Sequence, residues 1–317
     1  MPFGAETTSD EVLDGVDLTG TRVLVTGASA GLGRETSRAL AAHGARVIMT
    51  ARDRAKGEAA AAAIREHLPD ADLELREVDL ASLASVRSFT DAFLADHDQI
   101  DVLIANAGVM ACPFGQTVDG FETQLGTNHL GHFVLVNRLA PALTTGAPSR
   151  LVMLSSRGHQ RSDVDLDDPG FEKSPYDKFG AYGRSKTANV LFAVAYDTRH
   201  RDEGTRAFAV HPGVIVTELG RHLVPADLDE MRSRMPRGGA GMTFKSVEAG
   251  AATSVWAATA PELDGQGAKY LEDCGVADVV DTPGTSGVLS YAVDPARADA
   301  LWTCSEEMVG ERFPSAG

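Results

Sequence analysis

The chain has 317 residues, 43% of them hydrophobic and 23% charged, and its 29 Lys+Arg against 45 Asp+Glu give a formal net charge of −16. That balance repels phosphate backbones and argues against nucleic acid as a partner, and no apolar run approaches the ~18 residues of a membrane span. Cys112, Cys274 and Cys304 are far apart and odd in number, which excludes a disulfide framework or a zinc pattern; with no basic, apolar leader at 1–20, the expected setting is reducing and cytoplasmic.

Residues 1–17 are polar and are expected to form a loose extension before a single domain at 18–317. Short β-branched apolar runs follow at 22–26, 46–50, 73–78, 101–105, 150–154 and 206–210, and more weakly at 268–271. Helix-period stretches lie at 32–43, 54–67, 83–97, 119–143, 179–200, 247–259 and 295–309. Alternating units of this size predict the α/β class: a doubly wound parallel sheet of about seven strands, covered on both faces. One segment, 220–244, breaks the rhythm with Met, Pro, Gly and Arg between the sixth strand and the next helix.

The first strand runs into Thr26-Gly27-Ala28-Ser29-Ala30-Gly31-Leu32-Gly33, and a helix follows at once. Glycines there allow a tight turn and let a pyrophosphate approach the free N–H groups of the helix N-terminus. A glycine-rich turn alone is a weak signal, because turns are where glycine belongs. Five further motifs fall in register. Asn106-Ala107-Gly108 follows the fourth strand, and Asn128 lies in the helix after it. Ser155-Ser156 ends the fifth strand, Tyr182-Gly-Arg-Ser-Lys186 opens a helix, and His211-Pro212-Gly213 ends the sixth strand. Together these resemble the short-chain dehydrogenase/reductase family over about residues 18–310. The segment 269–274 is most similar to its retinol-dehydrogenase-like branch. The resemblance implies a Rossmann-type fold and hydride transfer between a nicotinamide cofactor and a carbonyl or alcohol carbon.

Tyr182 and Lys186 are four residues apart, so a helix presents them on one face. Tyr182 alone among the tyrosines has Lys at +4, which sets it apart from an accidental surface pair. Carbonyl reduction needs a proton donor at the oxygen. A free phenol, with a pKa near ~10, exchanges poorly at neutrality, and a neighbouring lysine cation is expected to lower it. By the resemblance, Tyr182 is the general acid in reduction and the base in oxidation. Lys186 also binds the nicotinamide ribose, Ser156 orients the substrate oxygen (Ser155 being the alternative), and Asn128 holds a water in a proton relay behind Lys186. The 25 residues between Ser156 and Tyr182 carry Pro169, Gly170 and Pro175 and predict a surface excursion. His129 and His132 have helical metal spacing but no third ligand nearby, so no metal is expected. His159 and His211 read as loop or strand-end residues, with lining the pocket as the alternative for either.

Ala51 stands where NAD-selective enzymes place an acid on the ribose hydroxyls, and Arg52 follows it. An arginine there suits a 2′-phosphate, so NADP(H) is the expected cofactor and NAD(H) the alternative; the bland reading of Arg52 is a solvated loop residue. Ser29 adds a hydrogen bond in the turn, and Asp53 is expected to face solvent. The resemblance further implies cofactor contacts from Asp79 and Leu80 at the adenine, from Asn106, Ala107 and Gly108, and from Pro212, Gly213, Val214 and Thr217 towards the nicotinamide. Segment 220–244 lies beyond a strand end, beside the expected pocket. Its Leu223, Val224, Met231, Met235, Met242 and Phe244, with hinge glycines Gly238, Gly239 and Gly241, suit a lid over a bulky apolar ketone or aldehyde. Competing readings are C=C or C=N reduction on the same scaffold, or a nucleotide-binding protein without catalysis. The expected partner is a small molecule. The resemblance implies a homodimer or homotetramer, with a monomer as the alternative because the insertion before Tyr182 obstructs helix pairing.

Overall fold

The computed structural model describes residues 3–227, 244–284 and 286–313. Among them, strands β1 (Arg22–Val25), β2 (Arg46–Ala51), β3 (Leu73–Glu77), β4 (Val102–Ala105), β5 (Ser149–Leu154), β6 (Thr205–His211), β7 (Lys269–Glu272) and β8 (Gly275–Val276) form one sheet in the order 3-2-1-4-5-6-7-8. All pairings are parallel except β7 with β8. The expected seven strands thus become eight, because the chain folds back at Asp273-Cys274, both with positive φ (52° and 56°), a two-residue turn of the kind that closes hairpins. A separate parallel pair joins β9 (Val279–Val280) to β10 (Val288–Leu289).

The central strands are apolar on both sides because each side feeds a different core. Leu24, Ile48, Leu103 and Leu151 pack on one face against α4 (Leu83–Asp96), α6 (Gly131–Thr145), α7 (Lys178–His200) and α9 (Pro295–Val309). Val23, Val47, Val102 and Val152 pack on the other against α1 (Ser9–Val12), α2 (Gly31–Ala42), α3 (Arg54–His67) and α8 (Val247–Thr259). The period of two along a strand thus produces two layers of helices, and the fold is a single α/β domain. β1 pairs with both β2 and β4, so chain direction across the sheet reverses between β1 and β4. A crevice opens at that switch point, beyond the strands' C-terminal ends. The glycine turn after β1 and Asn106 after β4 meet there.

Residues 3–17 do not form the expected loose extension. Thr8 and Glu11 make a reciprocal cap on α1, and Val12 and Leu13 are buried in the core beside α2 and α8. The polar residues are the outward face of a segment whose apolar side fills a cleft. The helix expected from 119 begins at Thr123 as α5 (Thr123–Leu125), passes through a π turn at Gly126–Leu130 and resumes as α6. Gly131 permits this close packing, since a Cβ there would lie 2.3 Å from the Leu80 carbonyl oxygen.

The insertion before Tyr182 is only partly a surface excursion. It opens as a short helical turn, Arg157–Arg161, with His159 fully buried, and Val164 and Asp168 are buried as well. The Asp168 carboxylate accepts from the amides of Glu172, Lys173 and Ser174 and from the Ser174 hydroxyl (2.6–3.0 Å), tying the loop on itself. The Arg184 guanidinium lies over the Phe171 ring at 3.8 Å and fastens the knot to α7. That helix is buried along most of its length, and α9 covers its outer side through Trp302, 5.8 Å from Phe192 and 4.2 Å below the Arg199 guanidinium. No helix among the described residues is long and apolar enough to cross a membrane. Residues 228–243, and with them Met231, Met235, Met242, Gly238, Gly239 and Gly241, lie outside the described residues.

Candidate active site

The glycine turn is close-packed. At Gly27 (φ 66°) a Cβ would sit 2.8 Å from the Ala107 Cα, and at Gly33 one would sit 2.4 Å from the Gly27 carbonyl oxygen. Only glycine lets these backbones approach so closely. Asn106 donates its amide to the Thr26 carbonyl at 2.7 Å, and the Ala107 amide donates to the Thr26 hydroxyl at 2.9 Å. Asn106, expected to line the adenosine side, therefore grips the turn itself. Helices α3, α4, α7, α8 and α9 are each capped by an Asp or Ser side chain, whereas Ala30 leaves the N-terminus of α2 without a side-chain cap. A tight glycine cradle under uncapped amides fits the pyrophosphate of a dinucleotide. Ser29 is half-buried within this turn.

Arg52 is exposed at the end of β2, just after buried Ala51, and has no hydrogen-bond or ion-pair partner among the described residues. Asp53 is exposed and accepts from the Lys56 amide at 3.1 Å, capping α3. Asp79 is half-buried and braces its own loop through the Ala81 amide at 3.0 Å. Leu80 is buried in the core beside α6. On the far side, Gly31 faces the Thr217 side chain, with a Cβ 3.4 Å from it. Pro212 and Gly213 (φ 93°) follow β6, and the stem of Lys245 packs on Gly213. The Lys245 amide donates to the Val214 carbonyl, and its ammonium pairs with Asp273 at 2.6 Å, pinning this segment to the β7–β8 hairpin.

Tyr182 and Lys186 are buried on α7, which starts one residue earlier than expected, capped by Asp177. Ser156 caps the turn that follows β5; its hydroxyl accepts from the Gly158 amide at 3.0 Å and lies close enough to the Tyr182 phenol to pull the phenol's pKa down. Gly158, which sequence reasoning passed over, makes this possible: a Cβ there would lie 2.8 Å from the tyrosine ring. The geometry separates the two serines, since Ser155 spends its hydroxyl on the Lys186 carbonyl at 2.8 Å. The Lys186 ammonium donates to the Leu154 carbonyl at 3.0 Å and stands 5.7 Å from the Tyr182 ring centre. Burial pushes the Tyr182 phenol up to about 12, against the pull of the Ser156 hydrogen bond, and pushes Lys186 down to about 8. The expected lowering of the phenol by its lysine is therefore not a property of the protein chain alone: burial dominates, and the one downward pull comes from Ser156.

Asn128 lies within the π turn. Its Nδ2 donates to the Val109 carbonyl and the Ser185 hydroxyl, both at 2.9 Å, and its Oδ1 accepts from the Val109 amide at 2.8 Å. A Cβ on Gly108 would meet both Asn128 Oδ1 (3.2 Å) and Lys186 Nζ (3.7 Å), so Gly108 lets these two residues close around one peptide. His129 and His132 point to different partners: His129 to Ser305 at 2.8 Å within a cluster containing Phe133 and Phe192, His132 to Thr26 and the Asn128 carbonyl. His159 donates Nδ1–H to the Ser156 carbonyl at 2.7 Å and accepts from the Leu289 amide at 3.2 Å, so it braces the catalytic turn against the C-terminal segment. His211 ends β6 and accepts from the Arg157 amide at 3.3 Å.

Residues 21–227 match the family model for short chain dehydrogenase. Human retinol dehydrogenase 14 is 40% identical over 305 residues, covering 92% of this chain and 87% of that protein; mouse retinol dehydrogenase 12 is 40% identical over 93% of this chain and 88% of its own length. Among solved structures, an uncharacterized protein from Mycobacterium paratuberculosis superposes with a TM-score of 0.72 at 36% identity, covering 94% of this chain and 96% of the other. A short chain dehydrogenase from Burkholderia cenocepacia in complex with NADP gives 0.62 at 26% identity over 80% and 96%. The chain belongs to the short-chain dehydrogenase/reductase family, in its retinol-dehydrogenase-like branch, and is an NAD(P)-dependent oxidoreductase of alcohol and carbonyl groups.

Proposed function

We propose that the chain uses NADP(H) to interconvert bulky apolar aldehydes or ketones and their alcohols. The observation that carries this reading is the pair of buried side chains Tyr182 and Lys186 on α7, with half-buried Ser156 at the C-terminal end of β5 and an unpaired Arg52 at the end of β2. The dinucleotide supplies or accepts the hydride. The 27–33 turn and the α2 amides hold its pyrophosphate, and Arg52 takes the 2′-phosphate through charge-assisted bonds. Ser156 and Tyr182 hold the substrate oxygen, and Tyr182 gives it a proton in reduction. Lys186 stabilises the phenolate left behind, and Asn128 fixes the Val109 peptide beside it. Among the described residues, Phe114, Val216, Val224 and Phe244 are exposed on loops after β4 and β6, which supports an apolar substrate; the names of the retinol dehydrogenases point the same way. Helix α9 over α7 favours a monomer over a dimer or tetramer built on that helix. The acidic charge and the unpaired cysteines fit a cytoplasmic setting.

A carbonyl panel tests the substrate class. Each buried methylene is worth about 0.8 kcal/mol, roughly fourfold in kcat/KM, so long-chain and aryl aldehydes are expected to outrun acetone and pyruvate by orders of magnitude. Equal kcat/KM for acetone and an aryl ketone would overturn the apolar reading. A pH profile tests Lys186. Its depressed pKa leaves it charged below about 8 and neutral above, and only the charged form favours the phenolate. Turnover in reduction is expected to fall as pH rises through about 8, and Lys186→Met is expected to abolish that limb; a profile flat through this range would contradict the role.

A further inference from the structure

His132 is fully buried one turn beyond Asn128, and both of its ring nitrogens are engaged. Nδ1 lies 2.9 Å from the Asn128 main-chain oxygen, and Nε2 lies 2.9 Å from the Thr26 hydroxyl. A carbonyl oxygen only accepts, so Nδ1 carries the proton and Nε2 is bare. Thr26 must then donate its hydroxyl proton to Nε2, leaving its lone pairs for the Ala107 amide at 2.9 Å. Each bond in this chain has one permitted direction.

The two ends of the chain matter. At one end lies the glycine turn, whose carbonyls Asn106 also grips. At the other lies Asn128, which brackets Val109 beside Lys186. The backbone between them is not held by a regular helix ladder: the Gly131 amide reaches the Gly126 carbonyl, five residues back. We propose that His132, in its Nδ1–H form, is a positioning residue that sets the Asn128 turn against the glycine turn and so couples seating of the dinucleotide to placement of Lys186. The inference rests on the reading of Tyr182 and Lys186 as the reacting pair. Burial, reinforced by the Lys186 charge, holds the ring's pKa down at about 4 against the pull of the Asn128 carbonyl, which keeps the required neutral form at working pH. The competing account is a histidine that merely packs.

Three variants separate these accounts. His132→Asn places a donor near the Nδ1 position and loses Thr26. His132→Gln reaches the Nε2 position and loses the Asn128 carbonyl. His132→Phe keeps the ring and loses both. Phe is expected to lower kcat by ~10- to 100-fold, as for buried polar partners left unpaired, and to displace the alkaline limb of the reduction profile. Asn is expected to keep kcat and weaken NADPH binding; Gln is expected to do the reverse. Variants that shift only the melting temperature, with wild-type kcat, NADPH affinity and pH limb, overturn the proposal. Should the variants not fold, nitrogen-15 histidine spectra of the wild type decide: Nδ1–H is expected, and an Nε2–H tautomer or an imidazolium at neutral pH refutes it. If instead Tyr182→Phe keeps its turnover, the underlying assignment of the reacting pair fails, whatever His132 does.

Discussion

Tyr182→Phe is expected to lose about 10²- to 10⁴-fold in kcat, the usual worth of a positioned general acid, while binding NADPH as the wild type does. The substitution removes one oxygen from a buried ring that packs on Gly158 and on the turn capped by Ser156. Phenylalanine fills the same space, so α7 and Lys186 stay in place. What disappears is the hydroxyl that meets Ser156 and, by this reading, the substrate oxygen. Steady-state turnover with an apolar aldehyde, together with NADPH fluorescence titration, checks both halves. A variant keeping more than a third of wild-type kcat would remove Tyr182 from the mechanism. Lost cofactor binding would mean that the ring's role is structural.

Arg52→Asp is expected to erase or reverse a wild-type preference for NADPH over NADH. Arg52 is exposed and has no partner among the described residues, so its removal should change stability by no more than about 0.5 kcal/mol. A charge-assisted bond to a phosphate is worth about 1.5–3 kcal/mol, roughly 10- to 100-fold in kcat/KM for NADPH, and the new carboxylate adds repulsion. Asp53 cannot compensate, since it is spent on capping α3. Paired kcat/KM measurements with both cofactors decide it; a wild type that uses NADPH and NADH equally contradicts the assignment of Arg52.

The reacting side chains were legible because their chemistry constrains spacing. Lys at +4 from Tyr182 and glycines at 27, 31 and 33 cannot be moved without losing a helix face or a close approach. The central strands were legible because both of their faces are buried, leaving nearly unbroken apolar runs. Less visible were features that depend on long-range packing. Segment 3–17 looks polar, yet Val12 and Leu13 suffice to dock it. The β7–β8 turn uses Asp273-Cys274 in place of the Asn-Gly or Asp-Gly that marks such hairpins. Ser155 and Ser156 are indistinguishable in sequence until the Lys186 carbonyl claims the first. The hold of Asn106 on the glycine turn and the packing of Leu80 beside α6 emerge only from the crossing of β1 and β4 and from the seat of α6 against the loop after β3. His132 read as one half of a metal spacing, and only the fold reveals that its partners are a hydroxyl and a carbonyl.

The most direct test of hydride transfer at this cleft uses NADPH deuterated at the transferring position of the nicotinamide and an apolar aldehyde, followed through a single turnover. The account predicts that NADPH is consumed and that the alcohol carries the deuterium on its carbinol carbon, with Tyr182→Phe forming almost none in the same time. NADPH that binds and is not consumed with any carbonyl, or an alcohol without the label, would contradict it.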